Sequence, residues 1–298
     1  MLQTLKYVSF LSIAALAAPA RGDTIYNNLT PNNLMAIATR PDSPGVTEIE
    51  AGDDFLLTGQ VTINKASFVG LLVLGTGGAP SVSGVVVEIY RVFPKDSNTG
   101  RTPNVPTRVN SPSDVAFDSR DSAASSLTFS TSVLAANFTA LNSVQPGGIH
   151  PSPLQTTGGN GPLTGQEVQF DVTFITPFSL PGDHYFFVPQ VGLTNGGQFY
   201  WLSALRPISG AGTTPFAPDL QAWTRDAALD PDWLRVGMDI VGGATPPTFN
   251  TAFSLDGTQV PEPATGLLVL AGGALIAIRL AATRFSSNSD NSSKCRRA

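Results

Sequence analysis

The chain of 298 residues is short of the groups that most catalytic and metal chemistry needs: it holds one cysteine, Cys295, and two histidines, His150 and His184. One thiol forms no internal disulfide, and two isolated imidazoles without neighbouring ligands make a poor zinc site. Charge is scarce too. Asp, Glu, Lys and Arg make up 13% of the residues, about half the usual share of a soluble protein. Between Gly22 and Gln259 there are 20 acids and 10 bases, a net of −10, with Lys65 and Lys95 the only lysines. Such a body is not drawn to phosphate backbones, which excludes nucleic acid as a partner. The sequence also lacks a G-x-S-x-G elbow, an H-E-x-x-H pair and a P-loop. Gly75-Thr76-Gly77-Gly78-Ala79-Pro80 begins like a dinucleotide loop, but Pro80 stands where the third glycine belongs and no helical pattern follows, so it reads as a turn.

What is present sits first at the two ends. Lys6 precedes an apolar run from Val8 to Ala18, and Ala18-Pro19-Ala20 offers the small-x-small pattern of signal peptidase. The run is too short to span a bilayer comfortably and stops at Pro19 and Gly22, so residues 1–20 read as a cleavable secretory signal, cut after Ala20 or alternatively after Gly22. Near the other end, Ala264 to Ile278 is fifteen residues without charge and with Thr265 as the one hydroxyl, followed by Arg279 and Arg284. Such a core is about 23 Å long as a helix, and extending it to Ala282 with Arg279 snorkelling reaches about 28 Å, enough for a single transmembrane helix. Lys294, Arg296 and Arg297 enlarge the basic cluster on its far side. By the positive-inside rule that side stays cytoplasmic and residues 24–258 lie across the membrane.

Val260-Pro261-Glu262-Pro263, then the short apolar segment, then basic residues from Arg279, resembles the PEP-CTERM protein-sorting tail of Gram-negative bacteria. Pro261, Glu262 and Pro263 match the tripeptide of that family and Arg279 the start of its basic stop. The resemblance covers about 25 residues, 259–285 in this chain, and the polar extension 286–298 departs from the usual abrupt ending. It implies processing by exosortase, a membrane-embedded cysteine protease or transpeptidase. It also implies an exported protein of the cell surface or extracellular matrix, held transiently in the membrane and associated with exopolysaccharide. An uncleaved membrane anchor is the plain alternative.

For the body the periodicity is that of strands. Val168, Phe170, Val172 and Phe174 alternate with Gln169, Asp171 and Thr173, and similar alternation runs through Val85 to Tyr90, Val61 to Asn64 and Phe249 to Leu255. Short apolar runs at 67–74, 185–188, 199–202 and 233–240 add further strands. Only Ser125 to Ala140 has the length for a helix, and its Thr and Ser content argues against one. Two stretches, 94–114 and 142–166, are rich in Pro or Gly and read as long loops. The expected fold is all-β: one β-sandwich, jelly-roll-like or immunoglobulin-like.

Candidate functional residues in the body are few. Tyr200, Trp201, Trp223 and Trp233 could offer flat faces to sugar rings, as in a carbohydrate-binding module of the exopolysaccharide matrix, or could be core. Asp226, Asp230 and Asp232 are a weak calcium candidate, or solvated turn acids, and Asp53-Asp54 is the other dense acidic pair. Asp183-His184 invites a secreted-hydrolase reading but lacks a nucleophile context, and Pro181-Gly182-Asp183 reads equally as a turn into a strand. The balance is a non-catalytic body without cofactor.

Overall fold

The computed structural model describes residues 22–78, 81–149, 156–205 and 219–260. The signal peptidase site at Ala18 and Ala20, His150, and the sorting residues Pro261, Glu262, Pro263 and Arg279 lie outside these. Among the described residues no helix is long and apolar enough to cross a membrane.

The strands in chain order are β1 (Asp23–Asn27), β2 (Pro31–Ala38), β3 (Ile49–Leu56), β4 (Val61–Val73), β5 (Val82–Arg91), β6 (Asp118–Asp121), β7 (Leu127–Ala140), β8 (Asn142–Val144), β9 (Leu163–Leu180), β10 (His184–Leu193), β11 (Gln198–Ala204), β12 (Trp223–Asp226), β13 (Leu234–Arg235) and β14 (Phe253–Gln259). They form two sheets in a sandwich-like arrangement. The first contains β1, β2, β4, β7, β8, β9, β11 and β14; the second has the order β13-β12-β3-β10-β5-β6.

The long strand β4 organises the first sheet. One of its edges pairs with β9 from Val61 to Leu72, while the other pairs with β14 as far as Phe68 and with β11 from Gly70 onward. A Cβ on Gly70 would lie 2.3 Å from the Phe199 ring and 2.5 Å from the Tyr200 carbonyl, so this exchange of partners needs glycine. The sheet also curls on itself. β7 pairs with β9, and its continuation β8 pairs in parallel with β2, so β9, β4, β11, β2 and the β7–β8 ribbon come round to near closure.

Alternation decides which side chains fill the space between the sheets. Phe68, Trp201 and Phe253 of the first sheet meet Phe187 of the second, with Phe170 and Phe199 packed against Phe68, and all are fully buried. Phe68 stacks on Phe170 at 5.0 Å between centroids; Phe187 stacks on Phe253 at 5.0 Å and meets the Trp201 ring edge-on at 6.0 Å. These offset and edge-on contacts suit the ring quadrupoles. Trp201 Nε1 donates to the Ala252 carbonyl at 3.0 Å, so its polar end is satisfied inside the core.

Leu127–Ala140, within the one stretch long enough for a helix, forms the strand β7, because Thr128, Thr131, Val133 and Thr139 are β-branched and β9 offers a free edge. Two expectations are corrected. In 142–166, the expected loop is interrupted by β8, by a short helical turn at Pro146–Gly148 and by the start of β9. Of the run 233–240, only Leu234–Arg235 is strand, and Val236–Val241 closes into a π-type turn.

Because Phe187 is the second sheet's ring between Phe68, Trp201 and Phe253, Phe187→Ala should cost about 3–5 kcal/mol of unfolding free energy. Urea denaturation followed by tryptophan fluorescence measures it, and a loss under about 1 kcal/mol would mean that the two sheets do not depend on this contact.

Candidate functional site

The second sheet is covered on both faces. Its inner face meets the first sheet; its outer face lies under residues 94–117 and 219–233, which form a smaller apolar cluster with Tyr90, Val92, Phe186, Val188, Leu220, Trp223 and Trp233. The acidic residues of β3 are therefore placed in two opposite buried environments by the period-two alternation of one strand.

Asp53 alternates with Ala51 and Phe55 and points between the sheets, fully buried. Its Oδ2 accepts from the Thr251 backbone N–H at 2.7 Å and from the Thr251 hydroxyl at 3.0 Å. Burial, assisted by the neighbouring Asp54 charge and opposed by the Thr251 bonds, raises its carboxyl well above the ordinary carboxylate range. Asp54 points to the other face. Its Oδ2 lies 2.6 Å from His184 Nε2 and its Oδ1 accepts from the Leu220 N–H at 2.8 Å. Burial raises this carboxyl too, against the pull of His184.

Further along the outer face lies a network built on Glu50. Tyr90 Oη is 2.6 Å from Glu50 Oε1 and 3.0 Å from Glu88 Oε2. Arg225 donates through Nε to Glu50 Oε2, and through Nη2 to Tyr90 Oη at 2.8 Å. Its guanidinium stacks on Trp233, 4.3 Å from the ring centroid. The tyrosine hydroxyl faces both carboxylates as donor, and its oxygen accepts from Arg225. Burial first, and then the Glu50 charge, raise Glu88 from 4.5 to about 8, against the pull of the Tyr90 hydroxyl. Burial alone would lower the Arg225 guanidinium, but Glu50 outweighs it and the net shift is upward.

The covering loop is held by ions. Arg101 reaches Asp232 through Nη1 and Nη2 at 2.9 and 2.6 Å, the Asn104 N–H reaches the same carboxylate at 2.6 Å, and Arg108 pairs with Asp114. Burial would raise Asp232, but the Arg101 bonds outweigh it and lower its carboxyl. Trp233 Nε1 donates to the Ser113 carbonyl at 3.2 Å.

The candidates from sequence fare differently here. Tyr200, Trp201, Trp223 and Trp233 are at most 4% exposed, so none presents a face for sugar stacking: the sandwich uses its largest rings as core. Burial, opposed by Arg40, pushes the Tyr200 phenol up to about 12. Asp226, Asp230 and Asp232 do not converge. Asp226 accepts the N–H groups of Ala228 and Leu229 in a turn, Asp230 pairs with Arg225 at 2.9 Å, and Asp232 belongs to Arg101. Among the described residues no group of three His, Cys, Asp or Glu side chains is placed to hold a metal. Asp183 is bound by Lys95 and accepts the His184 backbone N–H at 2.9 Å, while the His184 ring belongs to Asp54. His184 borders a cavity of about 460 Å³ whose one lining hydroxyl is Thr58, and no serine lines it. Sequence reasoning missed Glu50, Glu88, Tyr90 and Arg225. The i, i+2 spacing of Glu88 and Tyr90 on β5 was the available signal, but Arg225 stands opposite Glu50 across the β3–β12 pair.

The Glu88 shift has a sign. Its proton is held more tightly in the folded state, so the stability it contributes is complete below the unfolded value of 4.5 and is lost as pH rises through about 8. Glu88→Gln keeps the size of the side chain and an oxygen acceptor for the Tyr90 hydroxyl, and cannot titrate. Between pH 5 and 9, wild-type stability should therefore fall by on the order of 3 kcal/mol more than that of the variant, allowing for solvent at this half-buried carboxyl. Denaturation of both proteins across that range checks this, and the same pH dependence in each would mean that Glu88 does not hold its proton more tightly on folding. Arg225→Met should cost about 3–5 kcal/mol by leaving Glu50 buried without its cation, and adding Glu50→Leu should restore much of the loss. A double variant as unstable as the single one, by the same denaturation, would overturn that.

Compared with known proteins, the chain matches no family model, no curated protein and no solved structure.

Proposed function

We propose that this is an exported, non-catalytic protein of the cell surface or extracellular matrix, delivered by its N-terminal signal and sorted by a C-terminal PEP-CTERM tail that exosortase processes. The observation that carries the reading is the geometry of the two junctions. β1 begins at Asp23, next to the expected signal cleavage, and β14 ends at Gln259, two residues before Pro261. The two strands pair with Asp23 opposite Gly257. Both sequence signals thus attach at one end of one strand pair, the arrangement that suits a body inserted and then released at a single membrane surface.

The chemistry of the body supports the same reading. Its buried polar groups bind one another through Arg225, Arg101 and Arg108, and its stability rests on aromatic burial and ion pairs, since the exported part contains no cysteine. Within the sandwich class we favour the jelly-roll-like form, because the chain passes repeatedly between sheets, from β3 to β4 to β5 and from β9 to β10 to β11 to β12.

Expression in a host carrying exosortase tests the sorting step. Wild-type protein should be recovered from the envelope or medium with a mass lacking the residues after the Pro261-Glu262-Pro263 motif, whereas Glu262→Ala should stay in the membrane at the larger mass. Wild-type protein that keeps its tail in every fraction would leave a plain membrane anchor as the correct reading.

A further inference from the structure

Most sheet ends of this molecule are guarded by charge. β1 begins with Asp23, β6 carries Asp118, Arg120 and Asp121, and β13 ends in Arg235. Charged side chains on an edge strand discourage pairing with another chain. β7 is different. It is fourteen residues long, and it lies in a stretch, from Ser122 to Gln166, that contains no Asp, Glu, Lys or Arg.

The strand is also open. It pairs with β9 on one edge, and among the described residues no backbone group of 128–137 bonds any other segment. From Leu127↔Phe174 to Val133↔Val168 the pairing is one to one, and the irregularities come only after Val133, so this half of the edge is free of bulges. Both faces are solvent-accessible: Val133 is 59% and Leu134 50% exposed, beside exposed Thr128, Ser130, Thr131 and Ser132. An uncharged edge, free of bulges as far as Val133 and bearing apolar and β-branched side chains, is a template for a further strand.

We propose that β7 is a self-association edge on which a second copy of this chain adds its own β7, antiparallel about a two-fold axis. Two arguments select a second copy over another partner. The body carries a net charge of −10 from Gly22 to Gln259, so two copies repel over most of their surface and approach best where charge is absent, which is here. A strand placed antiparallel against itself obeys a two-fold axis, so one patch serves both sides, and the Thr, Ser and Val side chains meet like partners without placing equal charges opposite each other. The pairing would join two first sheets into one continuous sheet. It does not depend on the sorting reading: a tail that is never cleaved leaves it intact.

The full-length chain with Cys295→Ser, purified in a zwitterionic detergent, gives a background without thiols. On it, Thr128→Cys, Ser130→Cys, Ser132→Cys and Leu134→Cys are oxidised with copper phenanthroline and run on non-reducing gels. One position, nearest the two-fold axis, should give a covalent dimer, with yields falling on either side, and Thr258→Cys on β14 should give none. Independently, Ser132→Lys combined with Leu134→Lys should weaken dimerisation in sedimentation at least roughly tenfold by setting like charges opposite each other. The near-UV signal of buried Trp201, Trp223 and Trp233 reports that the fold is kept, and if it is not, the cysteine scan decides alone. A wild-type protein monomeric at every concentration, equal cross-linking at all positions, or a dimer indifferent to the lysines in a folded variant would each overturn the proposal. The last is what association through the apolar tail would give.

Discussion

The contact on which the rest of the structure depends is the aromatic packing across the sandwich. Without disulfides in the body, the two sheets are held by burial, and the rings of Phe68, Phe170, Phe199, Trp201 and Phe253 form a continuous surface into which Phe187 inserts from the opposite sheet. Fixing those rings fixes the registers that carry them. Phe68 lies on β4 opposite Phe170 on β9 and Phe253 on β14, so one residue of slip on β4 would turn its apolar set to solvent. The exchange of partners at Gly70, from β14 to β11, follows from the same packing, since Phe199 occupies the space that a side chain there would need.

The second sheet illustrates what double coverage does to acidic residues. Glu50 and Asp54 on β3, and Glu88 on β5, would be ordinary solvated carboxylates if the outer face were open. Residues 94–117 and 219–233 close that face, and each acid must then be neutralised or paired. The molecule uses both routes. Glu50 is paired with Arg225, while burial and the Glu50 charge make Glu88 hold its proton more tightly. Asp53, facing the other way into the aromatic core, is pushed upward by burial with Thr251 as its donor. These groups hold covering loops to the sheet. Buried and bound to one another, they act as fastenings inside the fold.

Strands were legible where one face was plainly apolar. Val85, Val87 and Ile89 of β5, and Val168 to Phe174 of β9, alternate in sequence as they do in the sandwich. β3 was not legible: Ile-Glu-Ala-Gly-Asp-Asp-Phe-Leu breaks the apolar pattern with the very acids that the covering loops later bury. β7 gave no apolar face because it lies at the rim of its sheet, where both faces meet water, and its Ser and Thr content is that of an exposed strand. The tryptophans carried no signal of location, since a ring suited to stacking on sugar is equally suited to packing in a core.

The sequence by itself determined the class and the charge of this protein: a cysteine-free acidic body of strands, framed by a signal-like segment and a tail that resembles a sorting signal. Those are properties of composition and of contiguous residues, and no fold is needed to express them. Only the tertiary structure decided which acid keeps its proton, which aromatic is hidden and which strand edge is left open. Each of these depends on what lies across a sheet or above it, and the partners are far apart in the chain: Glu50 and Arg225 meet over 175 positions, Asp53 and Thr251 over 198. Desolvation acts on groups brought together in space, and linear spacing does not encode it.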